Sequence, residues 1–123
     1  MTDVVKRFIV EGLPRTANYS HAVSYGDLIF LSGITGHSTE DTSFSEQFNV
    51  LAGRLRKTLE AAGSSMENVL KVTVYLSDRK YFKEFNELFN GLFTSPPVRT
   101  TIVCSFVHDH LKLEMELIAA RTS

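Results

Sequence analysis

The alternation of side chains in residues 97–119 is the sequence feature that most constrains the fold. Side chains alternate in residues 99–106 and again in residues 111–118, and a polar turn at 107–110 separates the two segments. Successive side chains of a β-strand point to opposite faces, so each segment predicts a strand with one apolar face. The stretch therefore predicts a C-terminal β-hairpin.

This predicted hairpin also determines which side chains share a face. The apolar positions are Leu111, Leu113, Met115 and Leu117 in the second strand, and Ile102, Cys104 and Phe106 in the first. When both sets are packed in the core, Arg99, Glu114 and Glu116 emerge together on the opposite face. A guanidinium beside two carboxylates suits a small anion, but the hairpin alone favours a surface ion pair. Cys104 is predicted to be an inert core thiol.

The rest of the chain predicts four further strands and two helices. Strands are predicted at residues 5–10, 19–24, 28–33 and 69–76, and helices at residues 43–62 and 79–93. Ser43 and Glu46 fit a capping box, Gly63 suits a C-cap, and Asp78 suits the second N-cap. Residues 28–31 are continuously apolar, which is typical of a central strand buried on both faces. The predicted order of elements is β-β-β-α-β-α-β-β.

The predicted fold class is α+β, with a single domain over residues 1–123. Both helices carry an apolar stripe, so they are expected to cover one face of a mixed six-stranded sheet. The other face would carry Arg99, Thr101, Val103 and the two glutamates. Since a monomer would expose Val103 and Tyr75 there, we expect this face to pack against other subunits.

Composition and charge exclude several classes of function. Hydrophobic residues make up 43% of the chain, charged residues 22%, and the formal net charge is -1. Nucleic-acid binders usually carry a basic stripe, whereas only residues 54–57 are locally basic here, so no nucleic-acid partner is predicted. No apolar run is long enough for a transmembrane helix and no secretory signal is visible, so no membrane partner is predicted. A lone cysteine is compatible with a reducing cytoplasm, which is the predicted location.

Neither a metal site nor a phosphate-binding loop is predicted. The turn holds three potential metal ligands, His108, Asp109 and His110. A metal ion requires further ligands, and the other two histidines, His21 and His37, are far away in sequence. A solvated turn is the better explanation. The glycines do not have the spacing of a dinucleotide-binding or Walker motif.

Several short segments follow one another in an order and spacing that indicate a family. They read YSHAV at 19–23, FLSG at 30–33, LEAAG at 59–63, VLKVTVYL at 69–76, FN at 85–86, PVR at 97–99 and LEMELIA at 113–119. In these segments the chain resembles the RidA (YjgF) family of reactive-imine deaminases, once called the endoribonuclease L-PSP family. The resemblance implies a chorismate-mutase-like protomer that assembles as a homotrimer, with clefts between subunits.

The resemblance also implies an activity. It is the hydrolysis of reactive 2-imino acids, such as 2-iminopropanoate and 2-iminobutanoate, to the 2-keto acid and ammonia, without a metal or organic cofactor. Arg99 matches the family's Pro-Xaa-Arg motif and would bind the substrate carboxylate, because a guanidinium forms two parallel hydrogen bonds with a carboxylate. Glu114 matches the first glutamate of the closing strand and would orient or deprotonate the attacking water.

Further residues would line the cleft if the resemblance holds. They are Tyr19, Ser32, Gly33, Asn86 and Thr101. For Tyr19, a packing role is an equally good explanation, and Ser32-Gly33 equally suits a strand end. Asn86 lies in a helix, where asparagine is unfavourable, which favours a specific hydrogen bond. For Glu116 a structural role is favoured.

At several positions the chain departs from the family pattern. Ile34 replaces a frequent Gln, Thr101 a frequent Cys, Arg54 a frequent Asn, and Ala17-Asn18 a frequent Gly-Pro. These departures concern substrate range and rate rather than fold. They are compatible with a larger or more polar imino acid, or with a weak enzyme.

Two other functions are alternatives to the deaminase. The first is a non-catalytic regulatory module of the same fold that binds small 2-keto acids or other carboxylates. Both the module and the enzyme would lose carboxylate binding when Arg99 is replaced by alanine, so binding does not separate them. Turnover of the substrate does, because only the enzyme hydrolyses it. The second is a ribonuclease, which the acidic sequence pI of about 6.4 and the absence of a catalytic histidine pair disfavour.

Overall fold

The fold consists of six β-strands and two α-helices, as a computed structural model of residues 4–38 and 40–122 shows. The strands are β1 (Lys6–Phe8), β2 (Ala22–Tyr25), β3 (Leu28–Thr35), β4 (Val69–Leu76), β5 (Val98–Val103) and β6 (Leu113–Ala120). The helices are α1 (Phe44–Ala61) and α2 (Phe82–Phe89). The elements follow the predicted order. The ends of the predicted domain, and Thr39 of the predicted loop before α1, lie outside the described residues.

A single mixed sheet connects the six strands in the order β1-β2-β3-β6-β4-β5. Neighbouring strands are antiparallel except for β4 and β5, which are parallel and are connected through α2. The helices pack on one face of this sheet, where their apolar side chains and those of the strands form one core. The predicted α+β fold with a mixed six-stranded sheet is confirmed.

The ends of helix α1 follow from local signals that the sequence already shows. Ser43 is the N-cap, and its Oγ accepts a hydrogen bond from the Glu46 N–H at 3.2 Å. Gly63 follows the helix with a φ of 85°, which glycine adopts without steric cost. These contacts satisfy backbone groups that have no partner within the helix.

Helix α2 is shorter than predicted. Residues Arg79–Tyr81 form a 3-10 turn, in which Asp78 accepts a hydrogen bond from the Lys80 N–H at 2.8 Å. The α-helix ends at Phe89, before Gly91, and glycine is a poor helix former. Within the described residues, neither helix combines the length and hydropathy that a membrane crossing requires.

The predicted C-terminal hairpin is wrong. Strand β6 lies between β3 and β4, and β5 is the edge strand beside β4, so β5 and β6 do not pair. Strand β5 also ends at Val103, so Cys104 and Phe106 belong to the following loop. Alternation identifies strands and their apolar faces, but it carries no information about pairing partners. Strand β6 buries every second residue, which suits the centre of a sheet, whereas no residue of β5 is fully buried.

The predicted common face for Arg99 and the two glutamates is also wrong. In the register of the sheet, Arg99 lies beside Val72, a fully buried core residue. Glu114 lies beside Tyr75, which on its other side lies beside Ile102. Since laterally adjacent residues share a face, Arg99 points toward the helices, whereas Glu114 and Ile102 point away from them. Ile102, predicted to be in the core, is 43% exposed.

The face of the sheet without helices, called the open face below, leaves apolar side chains exposed. In β3, Leu28 and Phe30 are 42% and 44% exposed, whereas Ile29 and Leu31 are buried. The predicted burial of this strand on both faces is therefore not found within one protomer. An exposed apolar surface of this kind favours contact with another protein surface.

Candidate active site

A cavity of about 540 Å³ lies on the open face. Its walls come from the segment before β2, the end of β3, the loop after β5 and the beginning of β6. Tyr19, Gly33 and Glu114, three of the predicted site residues, line it together. These residues are far apart in sequence, so the sheet is what brings them to one place.

Gly33 lies at an irregularity in β3 that allows the backbone to approach Glu114. The register between β3 and β6 shifts between Leu31 and Ile34, as in a β-bulge. A Cβ atom at position 33 would overlap with Oε2 of Glu114. Glycine at this position leaves room for the carboxylate, and any other side chain would displace the end of Glu114 from its place in the cavity wall. Ile34, which departs from the family pattern, is buried in the core.

Ser32 and His21 attach the segment that carries Tyr19 to the sheet. The Ser32 Oγ donates a hydrogen bond to the Ser20 carbonyl at 2.6 Å, so this hydroxyl is already engaged. The buried His21 accepts a bond from the Val10 N–H at its Nδ1, so its Nε2 carries the proton and donates to the Pro14 carbonyl at 3.0 Å. The Tyr19 ring stands edge-on to His21, with 6.0 Å between ring centroids. Tyr19 is therefore held at the wall of the cavity.

Glu114 is the cavity residue best suited to act as a base. Burial raises the pKa of its carboxyl above the ordinary value, and the neighbouring Glu116 adds to this, while His108 opposes it. In the described part of the chain no hydrogen bond stabilises its ionised form. A half-buried carboxylate without a partner is a stronger proton acceptor than an exposed one.

Glu116 and Cys104 differ in how the structure places them. Glu116 accepts a hydrogen bond from the Tyr75 hydroxyl, and this bond is the main reason that the pKa of Tyr75 is raised to about 12. Glu116 thus has a hydrogen-bond partner within the sheet, which agrees with the structural role that the sequence favoured for it.

Cys104, predicted to be a core thiol, lines the cavity instead, because β5 ends one residue earlier.

A second cluster of predicted site residues lies on the helix face, away from the cavity. The Arg99 Nη2 donates a hydrogen bond to the Asn86 Oδ1 at 2.9 Å. The guanidinium also lies over the rings of Phe85 and Phe89, at 5.4 and 4.9 Å from their centroids. The Oγ1 of Thr101 is buried without a hydrogen-bond partner among the described residues. Asn86 and the rings hold the guanidinium in one orientation, and the specific hydrogen bond predicted for Asn86 is found.

In the part of the chain that the structure describes, the cavity that contains Glu114 lacks a cation, and the cluster that contains Arg99 lies outside this cavity. Among the described residues the cavity is lined by no lysine or arginine, so a carboxylate bound there would have no guanidinium or ammonium partner. Arg99, Asn86 and Thr101 do not line it. Within one protomer the structure therefore does not bring Arg99 and Glu114 together.

Two histidines that the sequence did not connect meet at the cavity. His37 follows β3 and His108 lies in the loop after β5, yet their rings are stacked at 5.1 Å and 13°. Both residues lie in loops, where no periodicity predicts which loops will meet. The predicted solvated turn is confirmed, because His108, Asp109 and His110 are all exposed in the bend and turn after β5, and His108 also lines the open cavity. No group of three or more potential metal ligands forms within residues 4–38 and 40–122.

Comparison with known proteins identifies relatives over nearly the whole chain. The family model described as Endoribonuclease L-PSP matches residues 11–121. Protein HMF1 of Saccharomyces cerevisiae is 32% identical in an alignment 126 positions long that covers 98% of each chain. Reactive Intermediate Deaminase A of Arabidopsis thaliana, a chloroplast protein, is 32% identical over 107 residues, which cover 82% of this chain and 57% of that protein.

A solved structure has the same fold. The crystal structure of yeast Mmf1 superimposes with a TM-score of 0.89 at 27% sequence identity. The match covers 97% of this chain and 100% of the yeast chain. The arrangement of sheet and helices described above is therefore shared along the full length of that relative.

Proposed function

We infer that this chain, which belongs to the endoribonuclease L-PSP (RidA/YjgF) family, hydrolyses reactive imines. Support comes from the family match over residues 11–121 and from the relative that is named a reactive intermediate deaminase. The substrates that we propose are 2-imino acids such as 2-iminopropanoate and 2-iminobutanoate. Water converts them to the 2-keto acid and ammonia.

The observation that carries this proposal is the half-buried, unpartnered Glu114 carboxylate in the wall of a cavity. Hydrolysis of an imine begins with attack of water at the C2 carbon. With the substrate bound as the protonated iminium, Glu114 would accept a proton from that water as its oxygen bonds to C2, which gives a neutral carbinolamine. The protonated Glu114 would then return this proton to the nitrogen. As the C–N bond breaks, the regenerated carboxylate would accept the hydroxyl proton, so that the keto group forms and ammonia leaves; this last proton then passes to ammonia, which leaves Glu114 ionised again.

The substrate carboxylate requires a cation that the cavity of one protomer does not contain. We propose that the protein is a homotrimer in which Arg99 of one subunit reaches the cavity of the next. The exposed edge strand supports this proposal, because Val98 and Val103 at its two ends are 67% and 54% exposed. Head-to-tail contact between an edge and an open face repeats around a closed ring and completes one site at each boundary.

Asn86 is expected to act as a positioning residue for Arg99. Asn86→Ala should lower kcat/KM about tenfold, mainly through KM, because a hydrogen bond to a charged group that orients the guanidinium is lost. Asn86→Asp should lower it further, because a carboxylate next to Arg99 would neutralise the guanidinium and compete with the substrate. Steady-state kinetics at fixed pH measure both effects, and equal kcat/KM in the two variants would contradict this role.

A ribonuclease remains the less favoured hypothesis, for a different reason than the sequence suggested. The fold does bring His37 and His108 together, a juxtaposition that the sequence did not predict, but their stacked rings do not by themselves make a catalytic pair. The two carboxylates of the same cavity, and its lack of lysine and arginine among the described residues, oppose the binding of a polyanion. RNA cleavage that is lost in His37→Ala or His108→Ala would overturn this judgement.

The proposed activity is tested by generating 2-iminopropanoate in situ. A dehydratase acting on serine supplies the imine, and release of the keto acid is followed with and without this protein. We expect acceleration by the wild type and none by Glu114→Gln. The absence of acceleration by a folded trimer, together with binding of 2-oxopropanoate, would favour the non-catalytic binding module. A sedimentation mass of one 13.8 kDa chain would contradict the trimer.

A further inference from the structure

We propose that the stacked pair of His37 and His108 is a specificity-determining subsite, which binds the side chain of the substrate and selects planar, uncharged groups. Aromatic side chains fit this description best. The inference rests on the proposed function, because it places the carboxylate and the imine of the same substrate at Arg99 and Glu114. It concerns the part of the cavity that these two residues do not use.

The size of the cavity is the first observation that supports this subsite. The cavity measures about 540 Å³ in one protomer. Cavities of about 300–1,000 Å³ enclose drug-sized ligands, whereas 2-iminopropanoate has only a methyl side chain. A neighbouring subunit would supply Arg99 to this space, and the inference places the side chain of the substrate against the wall that holds His37 and His108.

The charges in the cavity exclude acidic side chains. Glu114 and Glu116 both line it, and no lysine or arginine among the described residues opposes them. Burial lowers the pKa of His37 below its ordinary value, and the nearby His108 and Arg54 lower it further, which favours the neutral imidazole. An anionic side chain would therefore meet two carboxylates without a compensating cation.

The geometry of the two rings favours a planar partner. They lie nearly parallel, with an interplanar angle of 13° and 5.1 Å between centroids, which is an offset stack. A flat group can extend such a stack, because aromatic rings prefer offset or edge contacts. Phe106 and Leu111 also line the cavity and add apolar surface around a ring. A compact aliphatic side chain would use little of this surface.

Helix α1 fixes the position of His37. The Arg54 guanidinium donates hydrogen bonds to the Thr35 carbonyl at 2.8 Å and to the His37 carbonyl at 3.3 Å. Arg54 stands where the family frequently has asparagine, and its longer side chain reaches two carbonyls of the segment that carries His37. The subsite is therefore held by the helix and is not a chance contact between two loops.

The experiment compares two imino acids that differ in the side chain. An amino acid oxidase generates the imines of phenylalanine and leucine in situ, and hydrolysis is measured for the wild type, His37→Ala and His108→Ala. We expect each variant to lose about fivefold in kcat/KM for the phenylalanine imine and less than about twofold for the leucine imine. His108→Phe should preserve the preference, because it keeps a planar ring. The matched control is His110→Asn, which alters a histidine outside the cavity and tolerates the left-handed backbone at that position.

Binding measurements separate this inference from the proposed activity. Calorimetry gives the affinities for the stable keto acids 3-phenyl-2-oxopropanoate and 4-methyl-2-oxopentanoate, with the same variants. A selective loss of affinity for the phenyl compound supports the subsite even when no imine is hydrolysed. Equal losses for both ligands, no loss in either variant, or an equal effect of His110→Asn would overturn it.

Discussion

Replacement of Arg99 by alanine is expected to reduce kcat/KM for a 2-imino acid by about 100- to 1,000-fold, because two charge-assisted hydrogen bonds to the substrate carboxylate are lost. The described residues that line the cavity include no lysine or arginine that could replace it. Binding of the 2-keto acid product, measured by calorimetry, should be lost in parallel.

The matched control for this prediction is Arg99→Lys. Lysine keeps the positive charge but cannot form two parallel bonds or lie flat over the rings of Phe85 and Phe89, so we expect at least about a tenfold loss. Wild-type kinetics in Arg99→Lys would show that only charge matters at this position. Wild-type kinetics in Arg99→Ala would remove Arg99 from the site altogether.

Replacement of Glu114 by glutamine is expected to lower kcat by about 100- to 10,000-fold, the range typical of a lost general base. Binding of the 2-keto acid should change little, because in the proposed site Arg99 and not Glu114 binds the carboxylate. The Tm near neutral pH should not fall. Burial raises the pKa of Glu114 in the folded protein, which means that the ionised carboxylate destabilises the folded state near neutral pH. A glutamine at this position is neutral and avoids this destabilisation. A variant that loses binding and catalysis equally would contradict the role of Glu114 as a base.

The same pKa shift predicts the pH dependence of the wild type. A base is active when it is ionised, so kcat should fall as the pH is lowered through the raised pKa of Glu114. This decrease should begin at a higher pH than an ordinary glutamate, with a pKa of about 4.3, would produce. His108→Ala removes a group that opposes the shift, so the decrease should then begin at a still higher pH. An unchanged profile in His108→Ala would contradict this electrostatic contact.

The two inactive variants also test whether each site is shared between subunits. Arg99→Ala and Glu114→Gln subunits are unfolded together, mixed in equal amounts and refolded. In a ring where each site takes Arg99 from one subunit and Glu114 from the next, about one quarter of the sites regain both residues. Recovered activity near that level supports the shared site, whereas complete inactivity of mixed trimers would place both residues in one subunit.

Local information in the sequence was sufficient to predict the secondary-structure elements and to indicate the family. The alternation at residues 111–118 predicted a strand, Ser43 and Gly63 predicted the ends of α1, and the spaced motifs indicated the family that the comparisons then showed. These features depend on residues close together in the chain, because side-chain period and capping act over a few positions. The short α2 is the exception, since its first turn became 3-10 and Gly91 lies inside its predicted range.

Only the tertiary structure decided which elements pair and which side chains meet. Whether Arg99 shares a face with Glu114 depends on the partner and register of β5, and a shift of one residue reverses every side chain of a strand. The pattern of β5 is ambiguous because, as an exposed edge strand, it buries neither face completely. The stacking of His37 on His108 likewise depends on two loops that the sheet brings together. The sequence by itself therefore determined the existence of the strands and helices, the ends of α1 and the candidate residues, whereas the long-range packing of the sheet separated Arg99 from Glu114 and joined the two histidines.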